Sequence, residues 1–332
     1  MKRENKLELQ RIDEFDLYKG IAIILVVCGH LIMSNWENAI DKHPVYTWIY
    51  SFHMPLFFFV SGFLIDYTFI NRSVLGSLKK RFLSLMIPYV VWCFIIAPSV
   101  NNRAELSFIH VFVDTNPRYW FVYLLFLYSA FYYIAQGLCK CCRVGFIWGI
   151  FVSFLVLGIA HYFFPCEFFG RGIQFYPIYV YGVLASAFRL HNRDVLYKEP
   201  FLSMIFALFI VSSMSYCHLD HEILNKLCKL LASFSICFLA LYYINGRYLS
   251  TNNRIINYTK YIGKNSIVVY LTHFFFLQVF PLPLVEDSSP KPFWTLFLCL
   301  LFSLVIIAIC LLIGKIVESF KWINRLVYGR GW

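Results

Sequence analysis

The stretch LYKGIAIILVVCGH, Leu17 to His30, is almost continuous hydrocarbon, yet it carries a lysine near its start and ends on a histidine. Lys19 and His30 are eleven residues apart. On an α-helix that is about 1,100°, three turns plus about 20°, so the two side chains share a face roughly 16 Å apart along the axis. A hydrocarbon core is about 30 Å thick, so a helix entering at Lys19 puts an ammonium at one rim and an imidazole beyond the middle. Ionisable groups at that depth are costly and mark function by default. The bland alternatives are an interfacial anchor for Lys19 and a hydrogen bond to a neighbouring helix for His30.

Two further stretches place chemistry in greasy surroundings. YSFHMPLFFFVSGFLI has His53 two residues before Pro55, with Ser61 and Gly62 about two turns further on. A proline that opens or kinks a helix frees carbonyls, and a Ser-Gly pair allows close helix approach. In GKNSIVVYLTHFFF, Ser266, Tyr270 and His273 stand at i, i+4 and i+7 and form a polar stripe. From the expected chain directions, His30, His53 and His273 all come to the outer half, and convergence on one buried, partly aqueous site is expected. Trp120 in YWFVYLL either stacks on a ligand or, as aromatic-belt positions favour, marks an interface. CKCC at 139–142 and HLDHE at 218–222 lack a zinc-like partner spacing, and no metal site is expected.

The elements that must position these residues follow from composition. Apolar residues are 60% of the chain and charged ones 14%, against roughly 45–50% and about 25% in soluble domains. Ten apolar runs occur, at 17–36, 45–70, 82–98, 119–137, 144–164, 173–188, 201–217, 226–245, 262–281 and 293–314. They are too long and too evenly apolar for alternating barrel strands. The fold expected is all-α, a polytopic membrane bundle of about ten transmembrane helices. A segment 1–16 precedes one membrane domain over 17–314, and a tail 315–332 comes after it; no cleavable signal peptide is read at the start. LSFIHVFV, at 106–113, is a candidate interfacial segment. With the N-terminus inside, most of the 29 lysines and arginines fall on the cytosolic side, so both termini are expected to be cytosolic. The net charge of +11 sits in short collars beside the spans, not in one stripe. Membrane lipid headgroups are the partner this favours, and no nucleic acid is expected.

DLYKGIAIILVVCGH, FHMPLFFFVSGFLI, KKRFLSLMIPYVVW, YWFVYLLF, FYPIYVYG and YIGKNSIVVYLTH together resemble the acyltransferase-3 family of bacterial membrane O-acyltransferases. The branch of sugar and exopolysaccharide O-acetylases or succinylases, fucose O-acetylase-like proteins included, is the most similar. The resemblance covers roughly residues 10–315. The family's basic-residue-x10-histidine motif matches Lys19 and His30, and its preceding acidic residue matches Asp16. An Arg-x-x-Arg feature is half matched by Arg81, because Ser84 takes the second position.

The resemblance implies an enzyme of the bacterial inner membrane that moves an acyl group, acetyl from acetyl-CoA or succinyl from succinyl-CoA, to a hydroxyl of a sugar, lipid-linked glycan or polysaccharide. No bound cofactor is implied, the acyl-CoA being a substrate. A sugar hydroxyl is a poor nucleophile, and a histidine, with its ordinary pKa of ~6.5, suits proton removal. His30 is the expected base, with Tyr270 and His273 as further catalytic candidates. Lys19, Lys80 and Arg81 are expected to meet the donor's phosphates. Asp16, His53, Ser61, Trp120, Asn265 and Ser266 are expected to support the site or the acceptor, with Asn265, Ser266 and Tyr270 as neutral donors and His53 or His273 as alternatives for an oxyanion. The competing class is a glycolipid flippase or proton-coupled transporter, in which buried histidines relay protons.

Overall fold

The computed structural model describes residues 13–35, 43–69, 73–96, 118–143, 145–163, 167–188, 199–216, 222–245, 253–277 and 292–332. Residues 1–12, the LSFIHVFV segment and positions 218–221 of HLDHE lie outside them. Every regular element among the described residues is helical: α1 (Asp13–Asn35), α2 (Pro44–Tyr50), α3 (His53–Phe69), α4 (Val74–Arg81), a π-helical turn (Phe82–Met86), α5 (Ile87–Ile96), α6 (Trp120–Cys141), α7 (Phe146–Phe163), α8 (Glu167–Ala187), α9 (Glu199–Tyr216), α10 (Glu222–Asn245), α11 (Arg254–Lys264), α12 (Ser266–Thr272), a 3-10 turn (His273–Phe275), α13 (Pro292–Glu318) and α14 (Lys321–Tyr328).

Among the described residues, five helical stretches are long and apolar enough to cross a membrane: Glu14–Asn35, Pro44–Ile65, Trp120–Cys141, Glu222–Tyr242 and Phe293–Glu318. Four of them turn large apolar side chains outward, as Phe293, Phe297, Leu301 and Leu312 of α13 do, whereas Pro44–Ile65 is mostly enclosed. Inside, Ser129, Ser303 and Thr272 each donate to the carbonyl one turn back. That arrangement suits a hydrocarbon solvent, in which every backbone and hydroxyl group needs an internal partner.

Two of the ten expected spans are not single helices. The run at 45–70 breaks at Ser51–Phe52, and α3 restarts at His53, so Pro55 falls in a first turn where its missing N–H costs nothing. The run at 262–281 breaks at Asn265, which leaves helical angles and turns its own amide back to cap the Tyr261 carbonyl at 2.9 Å. Beyond the break, Ser266–Phe275 is a segment of ten residues. That is about 15 Å of helix, half of a hydrocarbon core.

Packing divides the helices into two units. The first is Met1–Val60, Ala185–Ser266 and Leu277–Ile307. Its central feature is the crossing of α1 with α11. A Cβ on Gly20 would stand 2.1 Å from the Thr259 carbonyl oxygen, and one on Gly263 would stand 1.7 Å from that of Asp16. Only glycines admit such contact, and the order of the pairs makes the crossing antiparallel. Tyr18 ties α1 to α10 by donating to Ala240 O at 2.8 Å. Phe52, Phe209, Ala232 and Leu239 form a cluster joining the α2–α3 break to α9 and α10.

The second unit is Ser61–Leu184, Ile267–Phe276 and Ala308–Trp332. Gly62 lies against the backbone of α8, where a Cβ would fall 2.0 Å from Tyr179 O; the Ser-Gly pair serves close approach, as its composition suggests. Gly137 of α6 receives Val74 of α4, and Gly314 of α13 receives Val268 of α12, each with 2.6 Å between the would-be Cβ and a valine methyl.

Candidate active site

In the first unit, α1 runs unbroken from Asp13 to Asn35, so Lys19 and His30 do share a helix face. Asp16 accepts a hydrogen bond from Lys19 Nζ at 2.9 Å. The carboxylate is nearly buried and the lysine side chain keeps 24% of its exposure. An ammonium has three donors, of which this bond uses one. Asp16 thereby fixes a point charge at the end of the helix where Gly263 lets α11 approach. His30 is half-buried, with Val26 and Leu31 fully enclosed beside it.

His53 is buried, and its Nδ1 lies 2.7 Å from Ile49 O. A carbonyl only accepts, so Nδ1 carries the proton, and in the neutral ring the lone pair is on Nε2. The Tyr50 ring meets His53 edge-on at 4.6 Å. The same ring lies against Gly29, where a Cβ would fall 2.8 Å from it. The His30 turn of α1 and His53 therefore share one neighbour. Lys229 of α10 acts electrostatically on His53, although by sequence it ranks only with the charges of the outer side. Ser233, one turn further along α10, donates to Ser51 O at 3.1 Å and holds that helix on the α2–α3 break. The one local sign of Lys229 is its place two turns into an apolar helix, deeper than an end anchor needs to be.

Just outside this span, His43 caps α2, its Nδ1 accepting from the Tyr46 N–H at 3.3 Å. Burial pushes its pKa below the ordinary histidine value.

In the second unit, His273 is fully buried at the start of the 3-10 turn. Its Nδ1 donates to Val269 O at 3.0 Å, which again leaves the neutral ring's lone pair on Nε2. Tyr270 lies beside it, ring centroids 6.1 Å apart. The Tyr270 hydroxyl donates to Arg118 O at 3.1 Å, and the Tyr119 hydroxyl donates to Leu271 O at 3.0 Å. This reciprocal pair fastens the end of α12 to the start of α6 and satisfies a terminal carbonyl. Trp120 stacks on Phe175 at 5.7 Å, so one face of the indole is covered by protein.

Arg81 ends α4 half-buried, with Lys79 and Lys80 exposed beside it. A helix C-terminus favours such cations. The adjoining π-helical turn is a departure often found at functional positions, and Arg81 acts electrostatically on the Tyr179 hydroxyl. Ser61 is half-buried at the close approach of α3 to α8.

His30 and His53 share a neighbourhood in the first unit, whereas Tyr270 and His273 lie in the second. Asn265, Tyr270, His53 and His273 each direct a hydrogen to a backbone carbonyl, because helix ends and breaks in lipid leave carbonyls that must be met locally. Tyr328 of the C-terminal tail reaches Thr272, the residue before His273. The break at Asn265 separates α11 from the ten-residue segment that carries His273. Asn265 and Ser266 stand at that break between α11 and α12, Ser266 half-buried.

The chain matches the family Acyl_transf_3, described as "Acyltransferase domain", over residues 12–313, which leaves α14 outside the matched stretch. It is 41% identical over 85 residues to Nodulation protein NolL of Sinorhizobium fredii, covering 25% of this chain and 23% of that protein. With Nodulation protein NolL of Mesorhizobium japonicum it shares 31% over 122 residues, 34% of this chain and 33% of the relative. The chain thus spans about a quarter to a third of the length of those two relatives. Inner membrane protein YcfT of Escherichia coli is 24% identical over 344 residues, 91% of this chain and 90% of that one. No solved structure matches the chain.

Proposed function

The chain belongs to the acyltransferase-3 family of membrane O-acyltransferases, and on that premise we propose that it transfers acetyl from acetyl-CoA to a hydroxyl of a lipid-linked or cell-surface sugar. The observation that carries this reading is α1, an unbroken helix holding Lys19, clamped by Asp16, and His30 on one face. Lys19 binds a phosphate of the donor at one end, and Lys80 and Arg81 belong to the same donor-binding group. His30 takes the proton of the sugar hydroxyl at the other end as its oxygen attacks the thioester carbonyl. The tetrahedral intermediate collapses with loss of the coenzyme A thiolate, the proton passes to that sulfur, and the sugar ester and free thiol leave. His53 and His273, each with its proton directed at a carbonyl, present Nε2 as an acceptor and serve proton handling; Tyr270 positions α12. Ser61, Trp120, Asn265 and Ser266 support the acceptor path.

In this reading all ten apolar segments belong to the membrane domain of a bacterial cytoplasmic-membrane protein, and both termini face the cytosol, where coenzyme A is found. Purified protein given labelled acetyl-CoA and candidate glycans tests the proposal. Labelled glycan supports it; glycan moved across the membrane without modification supports a flippase or transporter instead. A mass increment of surface glycan matching succinyl would replace acetyl as the group moved.

A further inference from the structure

The C-terminal helix α14 is enclosed at its last residue. Trp322, Ile323 and Leu326 are exposed, whereas Tyr328 is 2% exposed. The Trp92 indole N–H donates to Val327 O at 2.7 Å, and its ring lies 6.2 Å from that of Tyr328. The Tyr328 hydroxyl stands 3.2 Å from Thr272 Oγ1. Thr272 has one hydroxyl proton and directs it to Val268 O at 2.8 Å, so Tyr328 is the donor in this pair. The next residue, Gly329, has φ +65° and lies so close to Ser84 that a Cβ would fall 2.1 Å from its carbonyl oxygen. Ser84 belongs to the π-helical turn directly after Arg81, and its own hydroxyl donates to Arg81 O at 3.3 Å.

Two consecutive tail residues therefore touch the two segments that carry Arg81 and His273. We infer that residues 321–332 form an intramolecular strut that sets the His273-bearing turn against the Arg81-bearing turn, with Tyr328 as its positioning residue. This rests on the reading that His273 takes part in acyl transfer. A tail that only filled space would place an apolar side chain at 328. Here a hydroxyl meets the last side chain of α12, and a left-handed glycine lets the backbone follow the π-helical turn. Without the strut the 3-10 turn loses its outer support, and His273 Nε2 loses its fixed distance to the donor held at Arg81.

The test is a set of kinetic comparisons on full-length protein matched for yield and thermal stability. Tyr328→Phe keeps the ring against Trp92 and removes only the hydroxyl. It is expected to lower kcat about 2- to 12-fold, the equivalent of one net hydrogen bond, with an altered pH profile and unchanged acetyl-CoA KM. Thr272→Val is expected to do the same, Thr272→Ser to restore near-normal kcat, and the Tyr328→Phe/Thr272→Val double variant to be no worse than the poorer single one. Normal kcat and an unchanged pH profile in Tyr328→Phe, in a protein that His273→Ala inactivates, overturn the strut. So do additive losses in the double variant. An active His273→Ala protein instead removes the catalytic reading of His273 on which the strut rests.

Discussion

At the scale of single residues, the two ends of α1 are expected to fail differently. Lys19→Ala removes a charge clamped by Asp16, so it should raise the acetyl-CoA KM roughly tenfold with little loss of kcat, as removal of a charge-assisted contact does. Added salt should weaken donor binding by the wild type more than by this variant. His30→Ala should cut kcat on the order of 10²–10⁴, the usual worth of a general base, and His30→Asn should fail alike because an amide takes no proton at neutral pH. Steady-state kinetics of the three variants decide the matter: near-normal turnover by either His30 variant removes it as the base. His43 has a different consequence. Its Nδ1 must be unprotonated to cap α2, and burial lowers its pKa. A histidine with a depressed folded-state pKa contributes stability that is full above its unfolded value of ~6.5 and lost as pH falls through the folded value. Thermal stability in detergent should therefore drop from about pH 7.5 to about pH 5, and His43→Asn, which keeps a capping oxygen, should flatten that dependence.

At the scale of elements, glycine contacts decide where helices meet. Gly263 is pressed on the carbonyl of Asp16 and Gly20 on that of Thr259, backbone against backbone, where nothing flexible can give way. Gly263→Ala is expected to cost about 3 kcal/mol or more, at or beyond the upper range for overpacking, and to displace Asp16 with it. Gly158 of α7 meets nothing within 4 Å of its would-be Cβ, so Gly158→Ala should be neutral or mildly stabilising. Folded yield and midpoint of thermal unfolding, measured side by side, test the pair. Equal behaviour of the two variants would contradict the crossing of α1 with α11. The break at Asn265 belongs to this scale as well. It converts an apparent span into an amphipathic helix and a separate ten-residue segment, because an asparagine amide competes for backbone carbonyls.

At the scale of the whole molecule, the basic collars bear on topology. Residues 72–81 and the tail after Lys315 are rich in lysine and arginine, and within the second unit Gly329 of the tail lies on Ser84, one turn past Arg81. Both regions are expected on the cytosolic side. Single cysteines introduced at Lys79 and Lys321 in a cysteine-free background should resist an impermeant thiol reagent in intact cells and react after permeabilisation. Labelling of both in intact cells would reverse the orientation, and labelling of one alone would contradict the shared end.

Periodicity and composition were enough for the membrane class, for the all-helical fold class and for the pairing of Lys19 with His30 on one face, because a continuous α-helix makes facing a matter of arithmetic. The sequence motifs were likewise enough for the family. The Ser61-Gly62 pair also announced its close approach, since small residues in an apolar run have few other uses. The features that stayed hidden depended on partners remote in the chain. Nothing local in LTHFFF tells that Thr272 receives a hydroxyl from Tyr328, 56 residues later, or that the Tyr270 hydroxyl is engaged by a carbonyl 152 residues earlier. A side chain's type states which bonds it is able to make. Which of them it makes is decided by the carbonyls that helix ends and breaks leave exposed in a medium without water, and their positions exist only once the helices have packed.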